Sequence, residues 1–296
     1  MSPLWFLAAI GVPCIWGLQG VMLKFGIGEF PPIFMVSLRF LLMLIILLPF
    51  LKRLKGQFSK AVIVGLTQGV MHFSLLYTGF KYSDVTSGMI VYQTNAIFTL
   101  FLGSIVLSET LTKHGLVGTV ICIIGVSFIL GIPQENTNIY GLLIVAGSAL
   151  MFAIGNICVR KLGPFDPVGL NATVALISFP VLLAISFITE RGQIESLYSA
   201  SLEAWGALLY TAVFGGVLAF ILWYKLLSNF SVDKITPFSL LMPFFAMLGS
   251  ALLLDENVTV VNCIGAIITV TGIAIIQFGH KFEKNKPGPQ QVMVTK

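Results

Sequence analysis

The chain has 296 residues, 57% of them hydrophobic and only 10% charged, with a mean hydropathy of +0.97; soluble domains carry about 25% charged residues. So few charges do not cover a 32.1 kDa globule in water, and a soluble enzyme is excluded. The net charge of +5 does not mark a nucleic-acid binder, because the basic residues fall mainly in loops and in the C-terminal segment, where they carry topology.

A helix needs about 20 apolar residues to cross about 30 Å of hydrocarbon. The sequence offers ten such runs, at 4–26, 32–51, 61–80, 85–107, 115–132, 139–159, 167–189, 204–227, 235–254 and 258–279. Short connections leave no room for a soluble catalytic, nucleotide-binding or receptor domain. The runs are continuous, not alternating with period two, which excludes a β-barrel. The N-terminal Met-Ser-Pro lacks a basic stretch, so the first run is expected to be an uncleaved span. The polar, Lys-bearing segment 281–296 is expected to be a disordered cytoplasmic tail. Cys14, Cys122, Cys158 and Cys263 lie inside apolar runs, without a C-x-x-C pair or a histidine at ligand spacing. They read as buried structural thiols, and neither a metal nor a cofactor is expected.

With a cytoplasmic N-terminus, inner segments and tail hold 13 of the 17 basic residues, whereas the outer side holds Lys24, Lys81 and Arg191. The positive-inside rule therefore places both termini in the cytoplasm. Glu190, Glu195 and Glu203 fall in the longest outer loop.

Glu109, Thr112, Gly118 and Gly125 recur 147 residues later as Glu256, Thr259, Gly265 and Gly272. Gln19, Lys24 and Gly26 recur 137 residues later as Asn156, Lys161 and Gly163. The repeat unit is five helices, and an odd number inverts the second copy. The expected fold is therefore an all-α integral membrane protein of two inverted five-helix repeats, 1–135 and 136–280, around a central cavity. That architecture belongs to secondary transporters.

The segment from Pro237 through Ser239 to Pro243, followed by Leu252-Leu253-Leu254-Asp255-Glu256, resembles the signature of the EamA family in the drug/metabolite transporter superfamily. Arg39-Phe40 and Trp16-Gly17 fit the same family, and the resemblance covers the chain apart from the tail. Tyr92-Gln93-Thr94-Asn95-Ala96 and Gly155-Asn156-Ile157 resemble the subgroup of bacterial O-acetylserine/cysteine exporters. One departure is Ala96, which stands where many members carry the proline that Pro243 supplies in the second half. The resemblance implies that spans one, three, four, six, eight and nine surround the cavity.

No Asp or Glu lies inside a span, which argues against an embedded-carboxylate exchange mechanism. Uncharged polar groups within the spans are the candidates. Trp16 and Gln19 lie three apart on the first span. Gln68 and His72 lie four apart on the third, with Tyr77 beyond them. Tyr92, Gln93 and Asn95 cluster on the fourth, Asn156 sits on the sixth, Tyr210, Trp223 and Tyr224 on the eighth, and Ser239 on the ninth. Amides offer donors and acceptors without fixed charge, which suits a zwitterion; the bland alternative is hydrogen bonding between helices. Trp16 offers a cation–π face. His72 titrates near neutrality and is the proton-coupling candidate, against a neutral ring bonded to a neighbouring helix. Arg39, about 12 Å into the second span at ~1.5 Å per residue, is expected to be paired structurally, with attraction of a carboxylate as the alternative. Pro243 is expected to shape the ninth span. Glu109 and Glu256 read most simply as helix-end caps of a short turn, with an ion pair to the opposite half as the alternative.

Taken together, these features point to an inner-membrane exporter of small polar metabolites, amino acids or derivatives, working as a monomer or weak dimer in the lipid bilayer. The alternatives are a carrier of aromatic compounds, drugs or nucleotide sugars, an intramembrane enzyme, or a channel. The enzyme lacks a catalytic set, since of His72, His114 and His280 only the first is mid-span.

Overall fold

A computed structural model describes residues 2–24, 29–54, 56–83, 85–109, 112–131, 138–253 and 258–284. Nine of its helices are long and apolar enough to span a bilayer: α1 (Pro3–Met22), α2 (Pro32–Leu54), α3 (Phe58–Phe80), α4 (Gly88–Val106), α5 (Lys113–Leu130), α6 (Ile139–Leu162), α7 (Pro167–Thr189), α8 (Leu202–Asn229) and α9 (Val232–Leu253). The tenth, α10, runs from Val260 to Lys284, with its apolar stretch at Val260–Ile276. It thus continues four residues into the segment expected to be tail, and 285–296 lie outside the described residues. A short helix, Gln193–Ser199, precedes α8.

Polarity is arranged inside out. Leu4, Ile105, Ile188, Leu252 and Ile267 are exposed on the perimeter, while Gln68, His72, Gln93 and Asn156 are buried. In hydrocarbon the apolar face needs no cover, so the polar groups turn inward.

Helix contacts come in pairs that exchange when the halves are exchanged. α1 packs on α9 as α6 packs on α4, and α8 packs on α1 as α3 packs on α6, while α2 meets α7 and α5 meets α10 across the centre. The repeat glycines form the last of these contacts. A Cβ on Gly118 would lie 2.7 Å from the carbonyl oxygen of Gly272, and one on Gly272 2.7 Å from that of Gly118. Gly125 and Gly265 are related in the same reciprocal way. Between them, the Cys122 thiol donates to the Thr269 carbonyl at 3.3 Å. This is an antiparallel backbone seam that only small residues permit.

Four spans are irregular at matched places. α3 widens into a π-helical turn over Gly65–Met71, and α8 does so over Thr211–Leu218. α4 breaks at Gln93 and Thr94, between helical segments Val85–Tyr92 and Asn95–Val106. α9 tightens to 3₁₀ over Thr236–Leu241 ahead of Pro243. Of the four, the sequence marked only the ninth span as interrupted, through Pro243. Buried residues run through each interruption, Gln68 and Gly69, Gln93, Gly215 and Gly216, and Thr236 to Leu241, and hydrocarbon tolerates irregular backbone only where protein covers it.

Several helix starts satisfy free N–H groups locally. The Thr112 hydroxyl accepts from Gly115 at 3.0 Å, the Asn138 amide oxygen from Tyr140 at 2.9 Å, and the Asp166 carboxylate from Gly169 at 2.8 Å. α2 begins after Pro31 without a side-chain cap of its own. The N–H groups of Ile33 and Phe34 donate instead to the two oxygens of Glu190, at 2.9 and 3.0 Å, from the far end of α7.

Candidate functional site

The irregular segments converge on a buried aromatic and amide cluster. Trp16 of α1 faces Trp223 of α8, with ring centroids 5.3 Å apart. Phe152 of α6 lies 6.3 Å from each indole and 5.1 Å from the imidazole of His72. Tyr92, at the break in α4, stacks on His72 at 5.6 Å. Five helices or segments from both halves thus meet on one set of rings.

Asn156 lies at the middle of this cluster. Its side-chain oxygen accepts from Gln68 Nε2 at 2.8 Å and from the Trp223 indole at 2.9 Å. An indole N–H only donates, which fixes the orientation of the amide. The Asn156 Nδ2 group and the Gln68 Oε1 atom are left buried without partners. Through the 137-residue offset, Asn156 corresponds to Gln19 of α1, and the two helices bear differently on their wide turns. Gln68 bonds Asn156, whereas in the second half the wide turn presents Gly215, on which the Gln19 side chain closes with Oε1 unpartnered. The Trp16 indole donates to the Gly215 carbonyl at 3.1 Å.

His72 Nδ1 lies 2.8 Å from the Ser148 hydroxyl and 3.3 Å from the Ser148 carbonyl, and that hydroxyl donates to the His72 carbonyl at 2.9 Å. A carbonyl only accepts, so Nδ1 carries the proton and Nε2 is the acceptor of the neutral ring. The observed contact is therefore the bond to a neighbouring helix, one of the two readings that the sequence allowed.

Gln93 is fully buried, and neither end of its amide finds a protein partner. Asn95 Nδ2 donates to the Tyr92 carbonyl at 2.7 Å, with its oxygen unpartnered. The Ser239 hydroxyl is satisfied within its own segment by the Thr236 carbonyl at 2.8 Å. Tyr77 reaches the cluster only through Phe73, at 6.4 Å between centroids. Pro243 is buried, and beside it α1 approaches so closely that a Cβ on Gly17 would meet the Met242 carbonyl oxygen. Arg39 has no carboxylate partner among the described residues; it lies against aromatic faces, the Phe73 centroid 4.9 Å from its guanidinium carbon.

Among the described residues, the Glu109 carboxylate accepts from the Val232 N–H at 3.1 Å, at the start of α9 in the opposite half. It also lies 3.9 Å from Arg160 Nε, and Arg160 in turn donates to the Ser228 carbonyl at 3.1 Å. Burial, and then the neighbouring Asp233, hold the Glu109 carboxyl above the usual range. Glu256 lies outside the described residues. The other end of the bundle has its own ties: Glu190 on α2, and Glu29, which accepts from the Ser201 hydroxyl at 2.7 Å and from the Ser201 N–H.

Phe152 was not singled out by sequence, having no polar atom. It lies four residues before Asn156 and four after Ser148, so the stripe along α6 was the available signal. Away from the centre, a cleft of about 430 Å³ opens between α1 and α8, lined mainly by Met22, Gly206, Ala207, Leu209, Tyr210 and Phe214. Its walls are mainly apolar, with Glu203 as the one carboxylate among them, and the Tyr210 hydroxyl is spent on the Ile15 carbonyl at 3.3 Å. The polar chemistry lies in the central cluster, not in this cleft.

An all-helical bundle with lipid-facing apolar sides and a buried ring of amides and aromatics between two related halves defines a multi-pass membrane transporter. The model of the EamA-like transporter family matches residues 3–131 and again 139–278, and the chain belongs to that family. A probable amino-acid metabolite efflux pump of Salmonella typhimurium is 29% identical over 94% of this chain and 96% of its own length. A protein of the same description from Escherichia coli is 28% identical over 93% and 95%. The uncharacterized transporter YoaV of Bacillus subtilis is 26% identical over 92% and 96%. A crystal structure of a protein 15% identical superposes with a TM-score of 0.82 over 95% of this chain and the whole of that one, and shows the shared fold.

Proposed function

We propose that the protein exports small polar metabolites, amino acids or derivatives such as cysteine and O-acetylserine, across the inner membrane by alternating access. The observation that carries this reading is the set of buried, unpartnered amide atoms on Gln19, Gln68, Gln93 and Asn156 beside the faces of Trp16 and Trp223. Unpaired polar atoms in a dry interior are unstable unless a ligand pairs with them. A zwitterion brings donors and acceptors whose charges cancel. The names of the Salmonella and Escherichia relatives support the same substrate class.

The halves 1–135 and 136–280 rock about the centre, with both termini cytoplasmic. The Glu109–Val232–Arg160 tie closes the cytoplasmic end, and the Glu29–Ser201 and Glu190–α2 ties close the outer end. Each set opens in turn. Substrate contacts fall to Trp16, Gln19, Gln93, Asn156 and Trp223 first, with His72, Tyr77, Tyr92, Asn95 and Ser239 around them. No covalent chemistry and no cofactor enter this reading, and one chain, or a weak dimer, suffices.

Purified protein in liposomes preloaded with unlabelled cysteine or O-acetylserine should accumulate the labelled compound by counterflow. Counterflow confined to aromatic compounds or nucleotide sugars would overturn the substrate class. A requirement for a pH gradient would bring His72 into coupling.

A further inference from the structure

Arg39 is 3% exposed, is the eighth residue of α2, and has neither a hydrogen bond nor an ion pair among the described residues; its Nε is buried and unpartnered. Its guanidinium carbon lies 4.9 Å from the centroid of Phe73, 5.9 Å from Phe40 and 6.0 Å from Phe220. The phenols of Tyr77 and Tyr224 are within electrostatic reach, and the Tyr224 hydroxyl is also buried without a partner.

Two of these neighbour pairs are repeat mates: Phe73 and Phe220, and Tyr77 and Tyr224, each separated by the 147-residue offset. A group flanked by both members of two such pairs lies between the halves. Its own counterpart on α7, 137 residues on, is Leu176. One cation therefore serves both halves.

Ring faces restore only part of the solvation that a guanidinium loses on burial. Its five N–H groups form a planar fork matched to a carboxylate. The fork is also one ring away from the amide cluster: Phe73 lies 4.6 Å from His72, and Phe220 5.1 Å from Trp16.

We infer that Arg39 is the anchor for the substrate's carboxylate, with the Tyr224 hydroxyl as a second donor and the unpartnered amide oxygens of Gln93 and Gln68 taking the ammonium end. The inference rests on the amino-acid reading above and deepens it. An anchor between the halves keeps its hold on the carboxylate while either end of the bundle opens, because neither half carries it away from the other.

The test compares cysteine with cysteine methyl ester, which keeps the ammonium and thiol but lacks the carboxylate. Binding is read from tryptophan fluorescence of the full chain in detergent, since Trp16 and Trp223 are in the site. The unaltered protein should bind the acid about tenfold to a hundredfold more tightly than the ester, and Arg39→Gln should abolish that preference while leaving ester affinity unchanged. Arg39→Lys guards against misfolding of the Gln variant: a point charge should weaken acid binding several-fold and spare the ester. Equal binding of acid and ester by the unaltered protein, or an acid preference that survives Arg39→Gln, overturns the anchor. An equal loss for both compounds in Arg39→Lys also overturns it. Failure of the unaltered protein to bind either compound would overturn the amino-acid reading, and the anchor with it.

Discussion

Replacing Gln93 with leucine separates substrate contact from structural support. The side chain is fully buried and both ends of its amide lack protein partners. Each unsatisfied buried polar group costs about 1–3 kcal/mol, and an apolar replacement of similar size removes that penalty. The membrane setting lowers the gain, because the unfolded chain also lacks water there. Gln93→Leu should therefore raise stability by about 1–2 kcal/mol and at the same time abolish amino-acid counterflow. Thermal unfolding of the purified protein reads the first effect, and liposome counterflow at matched reconstitution reads the second. Asn156→Ala is the contrasting variant: it strands the Gln68 amide and the Trp223 indole, so it should lose both stability and transport. A stable Gln93→Leu protein with full transport would show that this amide never touches substrate. A destabilised one would show that the amide is bonded after all.

Five further variants test the framework. Gly125→Ala drives a Cβ to 2.5 Å from the Thr269 nitrogen and should cost about 1–3 kcal/mol in thermal unfolding. Gly20→Ala, where a Cβ meets nothing within 4 Å, should be neutral or stabilise by up to about 1 kcal/mol. Glu190→Ala removes the borrowed cap from Ile33 and Phe34 and should destabilise by about 1–2 kcal/mol, seen as faster amide exchange at the start of α2. The hydrogen bonds from Ser201 lower the Glu29 carboxyl below 4.5, so its contribution is complete above that pH and is lost as pH falls through the lowered value. Glu109 has the opposite sign: its carboxyl is raised above 4.5, so its protonated form favours the fold and stability declines as pH rises through the raised value. Unfolding profiles of Glu29→Gln and Glu109→Gln should each lose the corresponding slope.

What could be read from the sequence followed from periodicity and self-similarity. Ten apolar runs, the inverted repeat and the amide candidates all need only spacing and composition. Which faces meet is a property of packing, and spacing does not encode it. The offset marked Gly118 and Gly272 as repeat marks, but not that they press on one another's carbonyls. Gln19 and Asn156 are repeat mates, yet only Asn156 gains an amide partner, because residue 68 is Gln where residue 215 is Gly. The breaks at Gln93 and over Thr236–Leu241 lie inside runs that are apolar enough on average to count as single spans, so hydropathy did not mark them. Glu29 and Glu190 carry no local motif; their partners lie 172 and 157 residues away.

The matched wide turns in α3 and α8 bear on ancestry. A π turn is what a helix keeps when a single residue is inserted and the surrounding turns hold their register. Each turn presses a glycine onto the opposite half: a Cβ on Gly69 would meet the hydroxyl of Ser178, and one on Gly216, 147 residues later, the sulfur of Met43. If both halves descend from one five-helix gene, the insertion was already present when that gene was copied. The copies then diverged in side chains, Gln68 against Gly215, while the backbone lesion was retained in both.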